Sequence, residues 1–558
     1  MPDLQQQRER AFQRWGSLVA ERSSWLSHWQ ELARFLLPRS GRFDDTAAAA
    51  SPNRGDKKHQ HIYDSTATRA LGILTAGLLS GASSPARPWF RLKTPYDDLN
   101  EREPVKRWLW QVEKRMREVF NQSNTYRAFR QVYQELGAFG TAANIILPNF
   151  DRVIHNHWLT IGEYAIDTDS NGIVNTLYRK FEMSVGQLVS RFGYENCSNR
   201  VRTLYDRGSL TPWVPVLHVI EPRRERNPLK YDNANMEYAS CYYEFGGEGQ
   251  DCLRNSGYRE FPALAPRWET RGADIYGSSP GMMVLGDVKQ LQHQQLRKSQ
   301  AIDFMTLPPL AVPPGAQAHG LNLTPGSVNY VDVGTSGVRS LFEVQLDLNA
   351  LLADIQDVRG RIERGFYVDL FLLILGDQRA TPPTAREIAE RHEEKLLMLG
   401  PVLESLHDEF LGPYIEKAFV YMLEAGLIPP PPRELEQVPL SVQFISLLAQ
   451  AQRLVGLSSV ERLVGSVVNV AAVKPDVLDK VDFDKAVEVY GDMLGVDPTL
   501  IVADDQVALI RQERAQAQAQ AQAMAAAQQG AAIARDLGAA GADGRDAAVD
   551  AARQVGVI

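Results

Sequence analysis

The chain has 558 residues, 44% of them hydrophobic and 23% charged, enough for several units with their own cores. Sixty Lys and Arg against 68 Asp and Glu give a formal charge of -8, which argues against a tight, phosphate-neutralising nucleic-acid binder and leaves weak or local DNA contact at most. Three cysteines, Cys197, Cys241 and Cys252, are too few and too irregularly spaced for a disulfide framework or a four-ligand zinc site, so a reducing, cytosolic place of synthesis is expected.

The N-terminus shows no basic stretch followed by an apolar run, and no window of about 18 uninterrupted apolar residues occurs, so neither a signal peptide nor a membrane span is expected. From Trp15 to Leu36 the apolar residues fall at helical spacing, and Pro38 with Gly41 ends the pattern. After the polar, turn-rich 51–58 segment, helices are predicted over Ala67–Leu79, Val105–Phe120 and Tyr126–Phe139. The period then changes to that of strands over Val153–Thr160, Gly172–Phe181, Trp213–Ile220 and Met236–Glu244, which predicts one small antiparallel sheet among the helices.

Helical character resumes over Val284–Met305 and stops at Leu307-Pro308-Pro309. The Pro- and Gly-rich stretch to Asp347 has the alternating pieces of a small β subdomain. A helix over Leu348–Leu373, a loop over Gly376–Pro383 and a long helical stretch over Thr384–Ala425 follow. Pro429–Pro432 is a stiff spacer and a natural boundary. A helical segment is predicted from Val438 to about Gln512, and Arg514–Gly530 then collapses into Ala/Gln repeats, helical only in an assembly or not at all.

Motifs with chemistry are sparse. Asp167-Thr-Asp-Ser-Asn-Gly172 matches the opening six positions of a calcium-binding EF-hand loop, but Tyr178 stands at position twelve where a bidentate Glu is required, so a hairpin turn is the better reading. His392-Glu393 lacks the second histidine of a zinc-protease helix, since Leu396 stands in its place. His155 and His157 share one side of a strand without an evident third ligand, which favours a structural or surface role. There is no phosphate-cradling P-loop, Phe245-Gly-Gly-Glu-Gly is a lone glycine cluster, and no nucleophile elbow or catalytic triad stands out. No catalytic residue, metal site or cofactor is assigned. The basic residues Lys289, Arg297, Lys298, Arg359, Arg361 and Arg364 on the two central helices are candidate phosphate contacts, weighed against a solvated face or salt bridges between subunits.

Several blocks between residues 8 and 425 stand out together. They include Arg22-Ser-Ser-Trp-Leu-Ser-His-Trp-Gln-Glu-Leu-Ala33 with Leu37-Pro-Arg-Ser-Gly-Arg-Phe43. The most specific block is Asp64-Ser-Thr-Ala-Thr-Arg-Ala70, continued by Leu74-Thr-Ala-Gly-Leu-Leu-Ser-Gly81 and Pro85-Ala-Arg-Pro-Trp-Phe-Arg-Leu92. With Phe139-Gly-Thr-Ala142, Tyr276-Gly-Ser-Ser-Pro280, Leu285-Gly-Asp-Val-Lys-Gln-Leu291, Leu399-Gly-Pro-Val402 and Phe410-Leu-Gly-Pro-Tyr414, they resemble the podovirus-type bacteriophage head-to-tail connector (portal) family over most of residues 8–425. In Ala380-Thr-Pro-Pro-Thr-Ala-Arg-Glu-Ile388, Pro382, Pro383 and Arg386 depart from the family's more usual Thr-Ala-Thr-Glu-type run.

The resemblance implies a mixed α+β, mainly helical portal fold with an Ala/Gln-rich C-terminal tail. Its parts would be a wing (1–283), a first stem helix (284–306), a clip (307–347), a second stem helix (348–374), a tunnel loop (375–383), the wing's long helix with its proline spacer (384–432), a crown (433–512) and a barrel-like or disordered tail (513–558). It implies a dodecameric ring at one capsid vertex, without enzymatic activity, whose channel is reached by the loop residues Gly376, Asp377, Gln378, Arg379, Ala380 and Thr381. Implied partners are double-stranded DNA, held transiently and without sequence preference, the terminase large subunit, major capsid and scaffolding proteins and a tail adaptor. Assembly in the host bacterial cytoplasm and residence in the virion are expected. The alternatives are another virion structural protein, of the tail tube or internal core, and a metal-dependent nuclease.

Overall fold

The computed structural model describes residues 4–43, 57–100, 102–227, 229–230, 232–246, 252–306, 310–311, 339–340, 348–375, 400–435, 438–445, 463–467, 469–471, 474–487, 502 and 504–539. In chain order the main elements are α1 (Leu4–Phe35), α2 (Thr66–Ala82), β1 (Phe90–Lys93), α3 (Asp97–Asn100), α4 (Glu103–Gln122), α5 (Thr125–Phe139), β2 (Ala143–Asn149), β3 (Val153–Leu159), β4 (Tyr164–Thr168) and β5 (Val174–Ser184). There follow α6 (Val185–Phe192), α7 (Asn199–Asp206), β6 (Trp213–Pro222), β7 (Tyr238–Glu244), β8 (Arg254–Tyr258), β9 (Ala263–Leu264), α8 (Pro280–Thr306), β10 (Leu310–Ala311) and β11 (Arg339–Ser340). The last are α9 (Leu348–Gly365), α10 (Val368–Leu375), α11 (Gly400–Leu406), a π turn (His407–Leu411), α12 (Gly412–Glu424), β12 (Ser441–Phe444) and α13 (Asp504–Ala539). The chain is mixed α and β and mainly helical, as the sequence predicts.

The chain divides into two compact units, the larger made of 1–93, 110–430 and 440–456. Its antiparallel sheet has the order β4-β5-β6-β7-β8, and alternation along β6 sends side chains to two different cores. Val214 and Val216 pack with Val185, Leu188 and Phe192 of α6 and Val201 of α7. Leu217 and Val219 pack with Ala11 and Leu18 of α1, with Phe12 and Trp15 against the same cluster. Helix α1 therefore covers one face, and it begins at Leu4 rather than at the expected Trp15 because its first turns supply that cover.

The predicted strands form two sheets instead of one. β3 pairs with β2, and β2 with β9, in a separate three-stranded sheet. β2 was not predicted, because Ile145-Ile146-Leu147 is a continuous apolar run that a period-two search passes over.

An aromatic core joins the helices of this unit. Phe129 of α5 lies 4.7 Å from Tyr414 and 4.9 Å from Phe410, ring centre to ring centre, and Trp89 stands 4.7 Å from Phe90. The Tyr414 hydroxyl is within 2.7 Å of Thr125 Oγ1 and accepts from Asn156 Nδ2 at 3.0 Å, which satisfies a fully buried phenol. α10 comes close to α2 because Gly77 has no side chain: a Cβ there would sit 2.1 Å from the Phe371 ring. The π turn precedes Pro413, which has no N–H for the Glu409 carbonyl; the helix widens and Gly412 N–H reaches back to His407 O.

The helical reading of Val438–Gln512 fails at Ser441–Phe444. These residues form β12, antiparallel to β1, with Phe90 opposite Phe444 and Leu92 opposite Val442. Val442 and Phe444 alternate with Ser441 and Gln443, a strand period too short to stand out in sequence. The tunnel-loop residues, most of the 307–347 module and Thr384–Leu399 lie outside the described residues. Within that module, Leu310–Ala311 pairs antiparallel with Arg339–Ser340.

The smaller unit comprises 94–109, 431–439 and 457–558. Asn100 closes its first loop, accepting from Thr94 N at 2.8 Å and donating to Thr94 O at 3.0 Å. Arg511 makes a two-pronged pair with Asp484 at 2.7 and 2.8 Å. The Ala/Gln repeats belong to α13, a 36-residue helix, as alanine's high helix propensity allows.

Candidate functional site: a locked helix pair

Helices α8 and α9 are antiparallel. Asp287 meets Arg361 at 2.9 Å, Gln294 of α8 donates to Asp354 of α9, and a Cβ on Gly365 would touch Val284. With 27 residues, α8 is ~40 Å long. Its first half is buried through Val284, Leu285, Val288, Leu291 and Gln292, whereas its far end exposes Ile302, Phe304 and Met305, and α9 exposes Leu352.

The base of the pair is fixed by a polar knot on Tyr63-Asp64, just ahead of α2. Gln292 Oε1 accepts from Tyr63 N at 2.6 Å and Asp64 N at 2.9 Å, while its Nε2 donates to Asp64 O at 2.9 Å. Asp64 Oδ1 accepts from Thr66 N and Thr66 Oγ1 at 2.9 and 2.5 Å. Its Oδ2 accepts from Gln295 Nε2 at 2.9 Å and from Arg359 Nη2 at 2.8 Å. Burial pushes the Asp64 carboxyl up, but the Thr66 and Arg359 bonds outweigh it and hold the group below its ordinary value. The Asp-Ser-Thr run before an apolar helix was a visible capping signal; the reach to α8 and α9 was not.

The six basic candidates divide. Lys289 pairs with Glu31 at 2.5 Å, Arg359 with Asp64, and Arg361 with Asp287 and Asp357. These ion pairs form within the chain. Arg297 donates to Gln300 Oε1 at 3.1 Å and Arg364 to Gly360 O at 3.1 Å, and with Lys298 they have no acidic partner among the described residues.

Elsewhere, Arg267 clasps Glu409 of the π turn, donating from Nη2 at 2.5 Å and from its backbone N at 2.8 Å, and also reaches Gly172 O at 2.8 Å. The Asp167–Gly172 stretch is the β4–β5 hairpin turn: Asp169 Oδ1 accepts from Asn171 N and Ile173 N, and Gly172 takes φ +79°. Asp167 is paired with Arg14. His155 and His157 do share a side of β3, their rings 4.6 Å apart. Burial, with Arg179, His155 and Arg191 nearby, pushes His157 down to about 4, so it is neutral at pH 7. Among the described residues no group of three or more His, Cys, Asp or Glu is placed to hold a metal ion, and no helix is long and apolar enough to cross a membrane. His392 and Glu393 lie outside the described residues.

Residues 8–502 match the family described as "Bacteriophage head to tail connecting protein". The chain is 52% identical to the "Probable portal protein" of Bordetella phage BPP-1, over 98% of each chain. It is 43% identical to the "Portal protein" of Salmonella phage epsilon15, over 94% of this chain and 95% of that one. A solved chain, "Virion of native gene transfer agent (GTA) particle", aligns over 75% of this chain and 93% of its own at 12% identity, with a TM-score of 0.30. The class is thus a structural, non-enzymatic protein of the phage virion. The chain belongs to the bacteriophage head to tail connecting protein family, and its role is to join head and tail.

Proposed function

We propose that twelve copies form a ring at one capsid vertex, with the α8/α9 pairs standing around a central DNA channel. The observation that carries this reading is the far end of the pair, where Ile302, Phe304, Met305 and Leu352 are exposed on helices whose base is locked by Asp64. A neighbouring copy supplies the apolar cover that one chain does not. In this reading 1–283 with 384–432 is the wing, 284–306 and 348–374 the stem, 307–347 the clip, 375–383 the tunnel loop, 433–512 the crown and 513–558 the tail.

The ring nucleates head assembly among major capsid and scaffolding proteins, docks the terminase large subunit during packaging, passes DNA in both directions and holds the tail adaptor. Three of the six stem cations are neutralised by carboxylates, leaving Arg297, Lys298 and Arg364 for brief phosphate contacts, which suits a duplex that must slide. The loop Gly376, Asp377, Gln378, Arg379, Ala380 and Thr381 enters the bore, with Arg379 as its one cation. Negative-stain images and native mass spectrometry test the reading: rings of about twelve subunits with a central hole support it, and monomers under every condition overturn it. In such rings, Arg379→Ala keeps assembly and alters DNA retention in a salt-dependent way; unchanged retention with a lower melting temperature assigns Arg379 a structural role instead.

A further inference from the structure

A half-open cleft of about 730 Å³ lies between the first turns of α1 and the sheet face that the helix covers. That volume is within the ~300–1,000 Å³ typical of ligand pockets. Its floor is apolar and aromatic: Ala11 of α1 lies across from Val219, Ala239 and Tyr243, all buried in one cluster. Its rim is charged, with Arg10, Arg14, Arg223 and Arg224 against Glu221 and Glu225, and because Asp167 neutralises Arg14 the surplus is one positive charge.

The rim arginines are not equivalent. Arg14 is paired with Asp167, and Arg223 is spent on the carbonyls of Met236 and Ser256 at 3.2 and 2.9 Å. Arg10 and Arg224 are exposed and have no partner among the described residues. Glu221 already accepts the Tyr178 hydroxyl at 2.9 Å. The cleft thus offers two exposed guanidinium forks beside an apolar and aromatic floor.

We propose that this cleft docks an acidic peptide segment of a partner protein. The segment seats one large apolar side chain on the floor beside Tyr243 and places carboxylates on Arg10 and Arg224. A guanidinium fork matches a carboxylate with two parallel N–H···O bonds. Gln7 and Gln13, on the same helix, offer amides to the peptide backbone. Nucleic acid is the poorer fit, because a duplex gains nothing from an apolar floor. The proposal does not depend on the ring, because the cleft is formed by α1 and the sheet of one chain.

The experiment uses the full chain and the fluorescein-labelled peptide Asp-Asp-Leu-Phe-Asp-Glu, read by fluorescence anisotropy. Binding is expected to weaken as salt rises and to drop about tenfold or more in the double variant Arg10→Glu, Arg224→Glu, from loss of two charge-assisted contacts. Both positions are exposed, so the variant's melting temperature should match that of the parent. A peptide with Leu and Phe replaced by Ser probes the floor without altering the protein and should not bind. No binding of the acidic peptide at millimolar concentration overturns the proposal, as does binding indifferent to the arginine reversals. Stronger competition by a single-stranded oligonucleotide than by unlabelled peptide overturns it in favour of a nucleic-acid site.

Discussion

Arg359 donates from Nε and Nη2, at 3.1 and 2.8 Å, to a single oxygen of Asp64, which lies 295 residues earlier in the chain. The carboxylate side chain is 5% exposed and the guanidinium 34%. The second oxygen binds the start of α2 through Thr66, so one carboxylate ties α2 to α9 while Gln292 and Gln295 tie the same spot to α8.

Asp64→Ala is therefore expected to cost about 3 kcal/mol, because it strips partners from Arg359, Gln295 and Thr66 together. Arg359→Ala should cost less, about 1–2 kcal/mol, since its guanidinium is partly solvated and Gln295 and Thr66 remain. Asp64 is held below its ordinary value of 3.8 in the fold, so its contribution is present above that value and is lost as pH falls through the lower, folded value. Chemical denaturation of both variants, with the parent measured from pH 7 down to pH 3, checks the order and the sign.

Glu135 gives the opposite sign. Its carboxylate is buried between α5 and the turn after β3, and burial pushes it up to about 7 although Thr160 Oγ1 donates at 2.8 Å and Ile161 N at 3.1 Å. The folded protein then holds the proton more tightly than the unfolded chain, whose carboxyl titrates near 4.5. Stability should fall as pH rises from 4.5 to 7 and level off above, by about 3 kcal/mol at most. Glu135→Gln should shrink this slope, leaving the part of the same sign that comes from Glu163, which burial also raises. A melting-temperature series from pH 5 to pH 8 that shows the same slope in parent and variant would assign it to other groups.

Gly140 caps α5 with φ +79°, and a Cβ there would meet the Gly277 carbonyl oxygen at 2.2 Å. Backbone conformation and backbone crowding both oppose a side chain, so Gly140→Ala is expected to destabilise by about 2–4 kcal/mol. Gly186→Ala is the control: it sits in a helix, and its new Cβ would meet Leu210 at an ordinary 3.5 Å. Thermal melts of the two variants should differ by several degrees.

The long helices were legible because their apolar spacing and their Pro or Gly stops act within one segment, as in α2 and α8. The β1–β12 pair was not, because four residues at 90–93 acquire a partner only at 441–444 and neither run carries a strong period alone. The candidate cations were legible as a basic set on α8 and α9. Their division into neutralised and free members was not, because Glu31, Asp64 and Asp287 become neighbours only in the folded chain. The π turn had a local cause in Pro413, but its contact with Arg267 depends on distant geometry.

The last prediction concerns α13. From Ala515 to Gln529 every residue is exposed, and Met524 is the one large apolar side chain exposed among the described residues after position 514. The ion pair that α13 makes, Arg511 to Asp484, lies ahead of this stretch. Over 515–529, removing Arg514–Ile558 takes away alanines, glutamines and Met524, and burying the alanines in any interface would contribute little per residue, since alanine's side chain has a single methyl group. Truncation after Glu513 is expected to leave the melting temperature and the subunit number of the ring unchanged, the latter read by native mass spectrometry. Dissociation to monomers would instead make α13 a principal assembly contact, with its exposed alanine faces packing against those of neighbouring copies.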